Sequence, residues 1–456
     1  MWGSRASSLS MMYREAGLSR SVSRSLNLIL LGNLCGNLFG TICGGGTTAM
    51  NGLASSMHAN DLVYGLINGI PQAAALLQIP FSILVGRTHK RKKYLLTFGL
   101  ISRVLWILMG LITLLVPETP QYLRLSTLLV LLTVSSCFSS AINVCWFPWF
   151  SDLAPASIRG KWFSIRDTVI AGVGLGFGIL TGFLMDHLAE NIRYAVMFSI
   201  GGTIGVVDMV CFGFCEEVYS TAAQKIEIRR VVRSVFQNRP FMRFLVMWTA
   251  WCFTAYLCEP FFNRYSMNEM GLGYTQMVIF GTAAAAVGTM LFMRHWGRAL
   301  DRYGCRSVML VAASGAAVAN AFYLLSTPGN VIPVLLRNFI GAAFWCGSNL
   351  AANSMQLSLS PDDMRPSFVA IFSCVTALVG AALGTLCGGA LLETWQSAGW
   401  FAGAFDRYKA LTALATMLRV LSVICFVPPL VNDREGNARD LLRALTGRAR
   451  SLRRQA

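Results

Sequence analysis

Twelve long apolar runs divide the chain, near residues 26–49, 63–85, 94–116, 123–147, 165–185, 194–215, 241–263, 274–295, 306–325, 331–354, 367–391 and 408–430. Each supplies the ~20 residues a helix needs to cross ~30 Å of hydrocarbon. Lipid offers the backbone no hydrogen-bond partner, so such runs in a bilayer must satisfy their own amides and are helical. Composition points the same way: 55% of the 456 residues are hydrophobic and 13% charged, whereas soluble domains carry about 25% charged residues.

The polar segments between the runs hold most of the basic charge. The formal charge of +17 suggests a nucleic-acid partner only if the basic residues share one face of a folded domain; here they fall in short clusters, so no nucleic-acid binding is expected. With both termini inside, 30 of the 38 Lys and Arg lie on the cytoplasmic side; Arg124, Arg193, Arg264, Arg407 and Lys409 lie outside, and Arg103, Arg337 and Arg419 lie within runs. That asymmetry orients a multi-pass protein of the cell (inner) membrane with cytoplasmic N- and C-termini.

Several function classes drop out. The 13 cysteines form no CxxC pair and sit mostly inside apolar runs, as Cys35, Cys43, Cys211 and Cys374 do, where a thiol serves as a small hydrophobe. Four histidines without ligand spacing give no basis for a metal, and no cofactor is expected. No nucleophile and base stand at recognisable spacing and no GxxxxGK loop occurs, so the chain does not read as an enzyme.

The runs divide the chain into an N-tail (1–25), a six-helix bundle (26–215), a linker (216–240), a second six-helix bundle (241–430) and a basic tail (431–456). The N-tail is rich in Arg and Ser, which suits a cytoplasmic tail and also an organelle transit peptide; a secretory signal is disfavoured by the length of the first run. In the linker, Ile226, Ile228, Val231, Val232 and Val235 share one helical face. The tail from Arg439 is a basic amphipathic segment suited to anionic headgroups, with a calmodulin-like partner as the alternative. The halves repeat: DLAPASIRGKWF from Asp152 returns about 206 residues later as SLSPDDMRPSFV from Ser358, aligning Pro155 with Pro361 and Arg159 with Arg365. Gly182 and Asp186 likewise find counterparts in Gly389 and Glu393.

Between the eighth and ninth runs lies WGRALDRYGCR, Trp296 to Arg306. Gly297 and Gly304 allow a sharp turn, and Asp301 can accept hydrogen bonds from Arg298, Arg302 or Arg306. Gly297, Asp301, Arg302, Gly304 and Arg306 resemble the signature loop of the major facilitator superfamily, in a bacterial-type member. The resemblance implies an all-α membrane protein of twelve transmembrane helices in two pseudo-symmetric six-helix bundles, with this loop as a conformational latch. A first copy from Gly86 and Arg87 is degenerate, with Lys90 where the acid belongs, so that cluster reads either as a second latch or as a topology-setting charge patch. If the N-terminal latch persists, Asp152 or Asp167 could stand in for the missing acid.

In that family spans 1, 4, 7 and 10 line the central cavity, so the resemblance directs attention to polar and aromatic residues there. Span 10 puts Asn338, Trp345, Asn349 and Gln356 on one face, span 1 gives Asn33 and Asn37, and span 4 gives Asn143 and Trp146. Span 7 adds Trp248, Trp251 and Tyr256. Each set has a plainer reading, as amides bonding neighbouring helices or as interfacial tryptophans. Glu259 on span 7 is the candidate coupling acid, because a carboxyl in a membrane is costly unless it meets water or a partner; a solvated rim residue is the alternative reading. Arg337 opens span 10 with Gly341 four residues on; the pair resembles an arginine motif of some antiporters, there on span 4, which implies a part in proton movement, and a basic site for an anionic substrate is the alternative. Asp208 is expected to face a neighbouring helix. Glycines four apart on spans 5 and 11 permit close or sliding helix contact.

The expected function is secondary active transport of a small polar or amphipathic organic solute by alternating access, in a monomer, with the proton as candidate coupling ion and the bilayer as its surroundings. The competing expectation is a membrane-embedded assembly factor or receptor that keeps the fold without transporting.

Overall fold

The computed structural model describes residues 12–15, 17–88, 90–117, 120–154, 156–216, 228–361, 364–401, 406–430 and 441. The start of the N-tail, the first part of the linker including Ile226, Pro155 of the repeated motif and nearly all of the basic tail lie outside them. So do the side chains of Gly86, Arg87, Asp152, Arg159 and Val231. Two compact units form, one of Met1–Ala59 with Ala73–Lys225, the other of Asn60–Gln72 with Ile226–Ala456.

The first half of the chain folds into α1 (Arg20–Ile42), α2 (Thr48–Ser56), α3 (Asp61–Ala73), α4 (Gln78–Thr88), α5 (Arg91–Leu115), α6 (Gln121–Leu153), α7 (Ala156–His187) and α8 (Glu190–Gly213). The second half gives α9 (Ile228–Gln237), α10 (Arg239–Tyr256), α11 (Glu259–Asn268), α12 (Tyr274–Met277), α13 (Ala284–Ala321), α14 (Ile332–Leu359), α15 (Arg365–Val375), α16 (Leu383–Ser397) and α17 (Arg407–Phe426). Among the described residues no strand forms beyond an isolated bridge between Thr327 and Asn330.

Helix starts are chemically marked. The Ser19 hydroxyl accepts from Val22 N–H at the head of α1, Asn238 accepts from Phe241 N–H before Pro240 in α10, and Asp406 accepts from Lys409 N–H at the head of α17. Each cap satisfies a donor that would otherwise be orphaned at the helix end. Pro71 removes a donor inside α3, and the chain continues through a 3₁₀ turn, Ala74–Leu77, before α4 resumes the second span.

Among the described residues, ten helices or merged helices are long and apolar enough to cross a membrane. One of these, Tyr274–Leu325, runs 52 residues and therefore has the length of two crossings, broken at Gly304. Helix α14, the tenth expected span, is not among the ten although it has 28 residues. Arg337, Asn338, Asn349, Asn353 and Gln356 make it the more polar helix.

Within the first unit, α5 packs against α6 and α8, and α1 against α7 and α8. Trp149, Phe150 and Trp162 anchor its core, and the core also takes in Met12 and Tyr13 from the segment expected to be a polar tail. Tyr13 Oη donates to Asn27 Oδ1 at 3.2 Å, and burial pushes its phenol up to about 12. Helix α9 turns Val235 into the core of the second unit but leaves Val232 and Phe236 exposed, so the expected linker face is only partly buried.

The second unit is built around α13 and α14. A Cβ on Gly288 would stand 2.3 Å from the carbonyl oxygen of Phe339, so only glycine lets these two backbones meet. Gly288→Ala is expected to cost about 1–3 kcal/mol, as overpacking does. A drop in thermal midpoint of the purified protein checks this, and an unchanged midpoint contradicts it. The glycines of the fifth and eleventh spans differ. Gly380, Gly384 and Gly388 abut α10 and the Leu257 carbonyl that follows it, whereas Gly172 and Gly176 of α7 face open space.

Candidate functional site

The seventh span is two helices. α10 stops at Tyr256, and α11 restarts at Glu259 because Pro260 needs no amide partner in a first turn. Glu259 thus sits at a break in a membrane span, where its charge also suits the N-terminal end of α11. The eighth span has its own irregularity, a π-helical turn at Val278–Ala283. The Phe280 carbonyl there accepts from Asn338 Nδ2 at 3.1 Å. Broken and bulged helices of this kind recur around membrane binding sites.

Three ionic side chains from three helices converge. Arg337 of α14 donates through Nη2 to Glu259 Oε2 at 2.6 Å and through Nη1 to Asn338 Oδ1 at 2.7 Å. Arg419 of α17 places its Nη2 3.7 Å from the same oxygen. The Arg337 guanidinium lies 4.0 Å from the ring centre of Phe262, and that of Arg419 lies 5.6 Å from a ring of Trp251. Together with Tyr256, Asn320, Gly341 and Trp345, the three line a cavity of about 290 Å³ within the second unit. Glu259 keeps 47% of its side chain exposed there, while Arg419 keeps 3%.

Of the residues expected on the cavity, Asn338, Trp345, Tyr256, Glu259 and Arg337 are brought together. Trp251 stacks on Trp345 at 5.7 Å and Trp248 tilts against it at 6.5 Å, so both buttress the wall from behind. Asn349 is half-buried, and Gln356 is buried with no hydrogen-bond partner for its Nε2 among the described residues; neither lines this cavity.

A larger space of about 900 Å³, lined by Phe236, Phe253, Val379, Leu421 and Phe426 among others, is almost wholly apolar. With no charged lining group, it suits lipid tails rather than a polar ligand.

In the first unit, Asn33 Nδ2 donates back to Ile29 of its own helix at 2.7 Å, while Asn37 and Asn143 are exposed. The Asn37 Oδ1 stands 2.9 Å from where a Cβ on Gly174 would lie. Trp146 stacks on Phe150 at 6.0 Å with the Arg166 guanidinium 5.7 Å away, an aromatic and cationic corner. Asp208 meets a neighbouring helix, accepting from Arg103 Nη2 of α5 at 3.3 Å, both side chains nearly shut off from solvent.

The loop from Gly297 differs from the expected hinge. Helix α13 continues through Gly297 and breaks only at Gly304, where φ is 79° and ψ 166°. One glycine in a left-handed conformation makes the whole reversal, so Gly297 is not needed to turn the chain. Asp301 is exposed and has no ion-pair partner among the described residues, whereas Arg302 lies 5.3 Å from the Tyr303 ring. Trp296, within α13, is buried and donates to the Ala343 carbonyl at 2.6 Å, pinning α13 to α14.

Two groups of charged residues were missed. Arg419 sat in the twelfth run, and an arginine in an apolar run is itself the signal that finds it. Asp61 was passed over because it precedes the second run, yet it is wholly buried in the second unit. Arg264 Nη1 is 3.1 Å from its Oδ1 and Arg407 Nη2 3.4 Å from its Oδ2. Tyr408 Oη donates to Oδ1 at 3.1 Å.

The arrangement has relatives. Maltose permease of Geobacillus stearothermophilus is 27% identical over 276 residues, which is 59% of this chain and 66% of the permease, just under two thirds of that protein. A POT family peptide transporter superposes with a TM-score of 0.69 at 13% identity, over 91% of this chain and 99% of that one. A mutant form of the nucleoside transporter NupG gives 0.68 at 14% identity, over 89% and 99%. A D-xylose-proton symporter gives 0.67 at 15% identity, over 91% and 99%. At such low identity these three establish the shared fold and nothing finer. A multi-pass helical chain with this fold, whose residues 29–294 match the family model described as Major Facilitator Superfamily, belongs to the Major Facilitator Superfamily.

Proposed function

We propose that the protein is a secondary active transporter that moves a small polar or amphipathic organic solute by alternating access, with the cavity around Glu259, Arg337 and Arg419 as its substrate site. The observation that carries this reading is a charged, tryptophan-walled cavity at a broken membrane helix. Charged groups inside spans are retained where they meet a permeant or one another. The named relatives act on maltose, xylose, nucleosides and peptides, all small polar organic solutes. A volume of about 290 Å³ lies just below the ~300–1,000 Å³ typical of ligand pockets, so the solute is metabolite-sized rather than drug-sized. The distribution of its basic residues supports an orientation with both termini cytoplasmic in the cell inner membrane, where the protein would act as a monomer. The loop around Gly304 acts in the family's latch.

Proton coupling is assigned to Glu259. The charged groups facing it are Arg337 from α14 and Arg419 from α17, with Tyr256 at the end of α10 beside them in the cavity wall. A proton on Glu259 would free Arg337 from a 2.6 Å ion pair, linking protonation to the state of the site. In proteoliposomes, Glu259→Gln is expected to abolish accumulation driven by a pH gradient while leaving equilibrium exchange of solute in place. Gradient-driven uptake that survives the substitution rules Glu259 out as the coupling acid.

A further inference from the structure

We infer that the cavity of Glu259, Arg337 and Arg419 takes an organic anion, whose carboxylate or phosphate replaces Glu259 on the two guanidiniums; this rests on the transport reading of the same cavity. The charges do not balance. Two arginines face one carboxylate, and both converge on its Oε2. Arg337 uses its two terminal nitrogens on Glu259 and Asn338. Arg419 is not served in this way. At 3% exposure, neither its Nε nor its Nη2 has a hydrogen-bond acceptor among the described residues, and Glu259 is at ion-pair distance only.

A buried guanidinium without an acceptor is costly, and costlier in a membrane span than in a soluble core. The vacant edge also has a specific shape. Nε and the adjacent Nη form the parallel fork that matches two oxygens of one carboxylate or phosphate. Trp345 supplies a flat apolar wall for the rest of such a molecule, and Asn320 and Tyr256 supply polar groups beside it. A neutral sugar would leave both the fork and the surplus charge unmet.

The same geometry makes Glu259 an internal competitor for the ligand. The site is closed on its own carboxylate until an outside anion displaces it, so removing that carboxylate is expected to strengthen anion binding. A misfolded variant would not gain affinity, which separates this outcome from simple damage.

The test is a tryptophan-fluorescence titration of the full-length protein in nanodiscs, reading the indoles of Trp251 and Trp345. The probes are lactate, succinate, benzoate and glycerol 3-phosphate, each against a neutral congener: lactamide, succinamide, benzamide and glycerol. At least one anion is expected to saturate at millimolar concentration or below and its neutral congener not to. Carboxylates binding without glycerol 3-phosphate, or the reverse, identifies which head group the fork accepts, and either supports the inference. For the anion that binds, Glu259→Gln is expected to tighten binding about tenfold and Arg419→Gln to weaken it tenfold or more, with Arg419→Lys between wild type and Arg419→Gln. Neutral congeners binding as tightly as the anions, no anion binding, or an unchanged or weaker affinity in Glu259→Gln each overturn the inference. Counterflow of maltose, xylose or uridine without binding of any anion would leave the transport reading standing and remove the anionic substrate. Anion binding as described without counterflow of any solute would do the reverse.

Discussion

Asp61→Ala is expected to destabilise the second unit by about 3–5 kcal/mol, the range for removing one partner of a buried ion pair. The Asp61 side chain is wholly buried between Arg264 and Arg407, and it also accepts from Tyr408. Without the carboxylate, two guanidiniums that are 13% and 23% exposed would face each other with no anion between them. The Arg264 guanidinium lies 4.3 Å from the ring of Tyr64, which holds it in place and limits its escape to water. Asp61 also helps hold Asn60–Gln72, drawn from the first half of the sequence, inside the second unit. The measurement is thermal unfolding of the purified protein in detergent. Asp61→Asn is expected to lose nearly as much, since an amide keeps the size but not the charge. A loss below about 1 kcal/mol for Asp61→Ala, the level of an exposed pair, would contradict the ionic account.

The second large effect belongs to the first unit. Asp208→Ala is expected to cost a similar ~3–5 kcal/mol, because Arg103 would be left charged and buried. The pair is enclosed: the Arg103 side chain is 10% exposed and that of Asp208 5%, and the Arg103 guanidinium lies 3.9 Å from the ring centre of Phe39. Close packing of α1 against α8 adds to the penalty, since a Cβ on Gly36 would stand 3.0 Å from Asp208 Oδ2. The informative control is the double variant Asp208→Leu with Arg103→Met. Replacing both members by apolar groups of similar size is often neutral or stabilising, so the double variant is expected to recover most of the lost stability. Asp208→Ala and the double variant falling equally far in thermal midpoint would show that packing, not charge, dominates there.

The membrane class was legible in the sequence because the bilayer imposes a length and an apolarity that twelve runs meet. Much of the candidate site was legible for the opposite reason: Glu259, Arg337 and Asn338 are expensive in lipid and stand out against it. What remained hidden was the pairing. Helical spacing places Asn338 and Trp345 on one face, but nothing local says that Arg337 reaches Glu259 across 78 residues or that Arg419 shares the same oxygen. Asp61 was hidden by the boundary of its run, since a residue just outside an apolar stretch reads as solvated. Gly297 misled in the other direction, because a glycine beside charged residues suggests a turn that Gly304 alone makes. Met12 and Tyr13 were buried by tertiary contacts that a polar, Arg-rich segment gives no reason to expect.

The central claim is that a membrane protein with this ionic cavity carries a solute. Counterflow tests it most directly: proteoliposomes loaded with unlabelled solute from the fluorescence panel, diluted into a trace of the labelled compound. Transient uptake of label above its equilibrium level is expected from wild-type protein and is expected to fall tenfold or more with Arg337→Gln. Protein that remains folded and binds the solute but gives no overshoot would contradict transport and favour a receptor-like role.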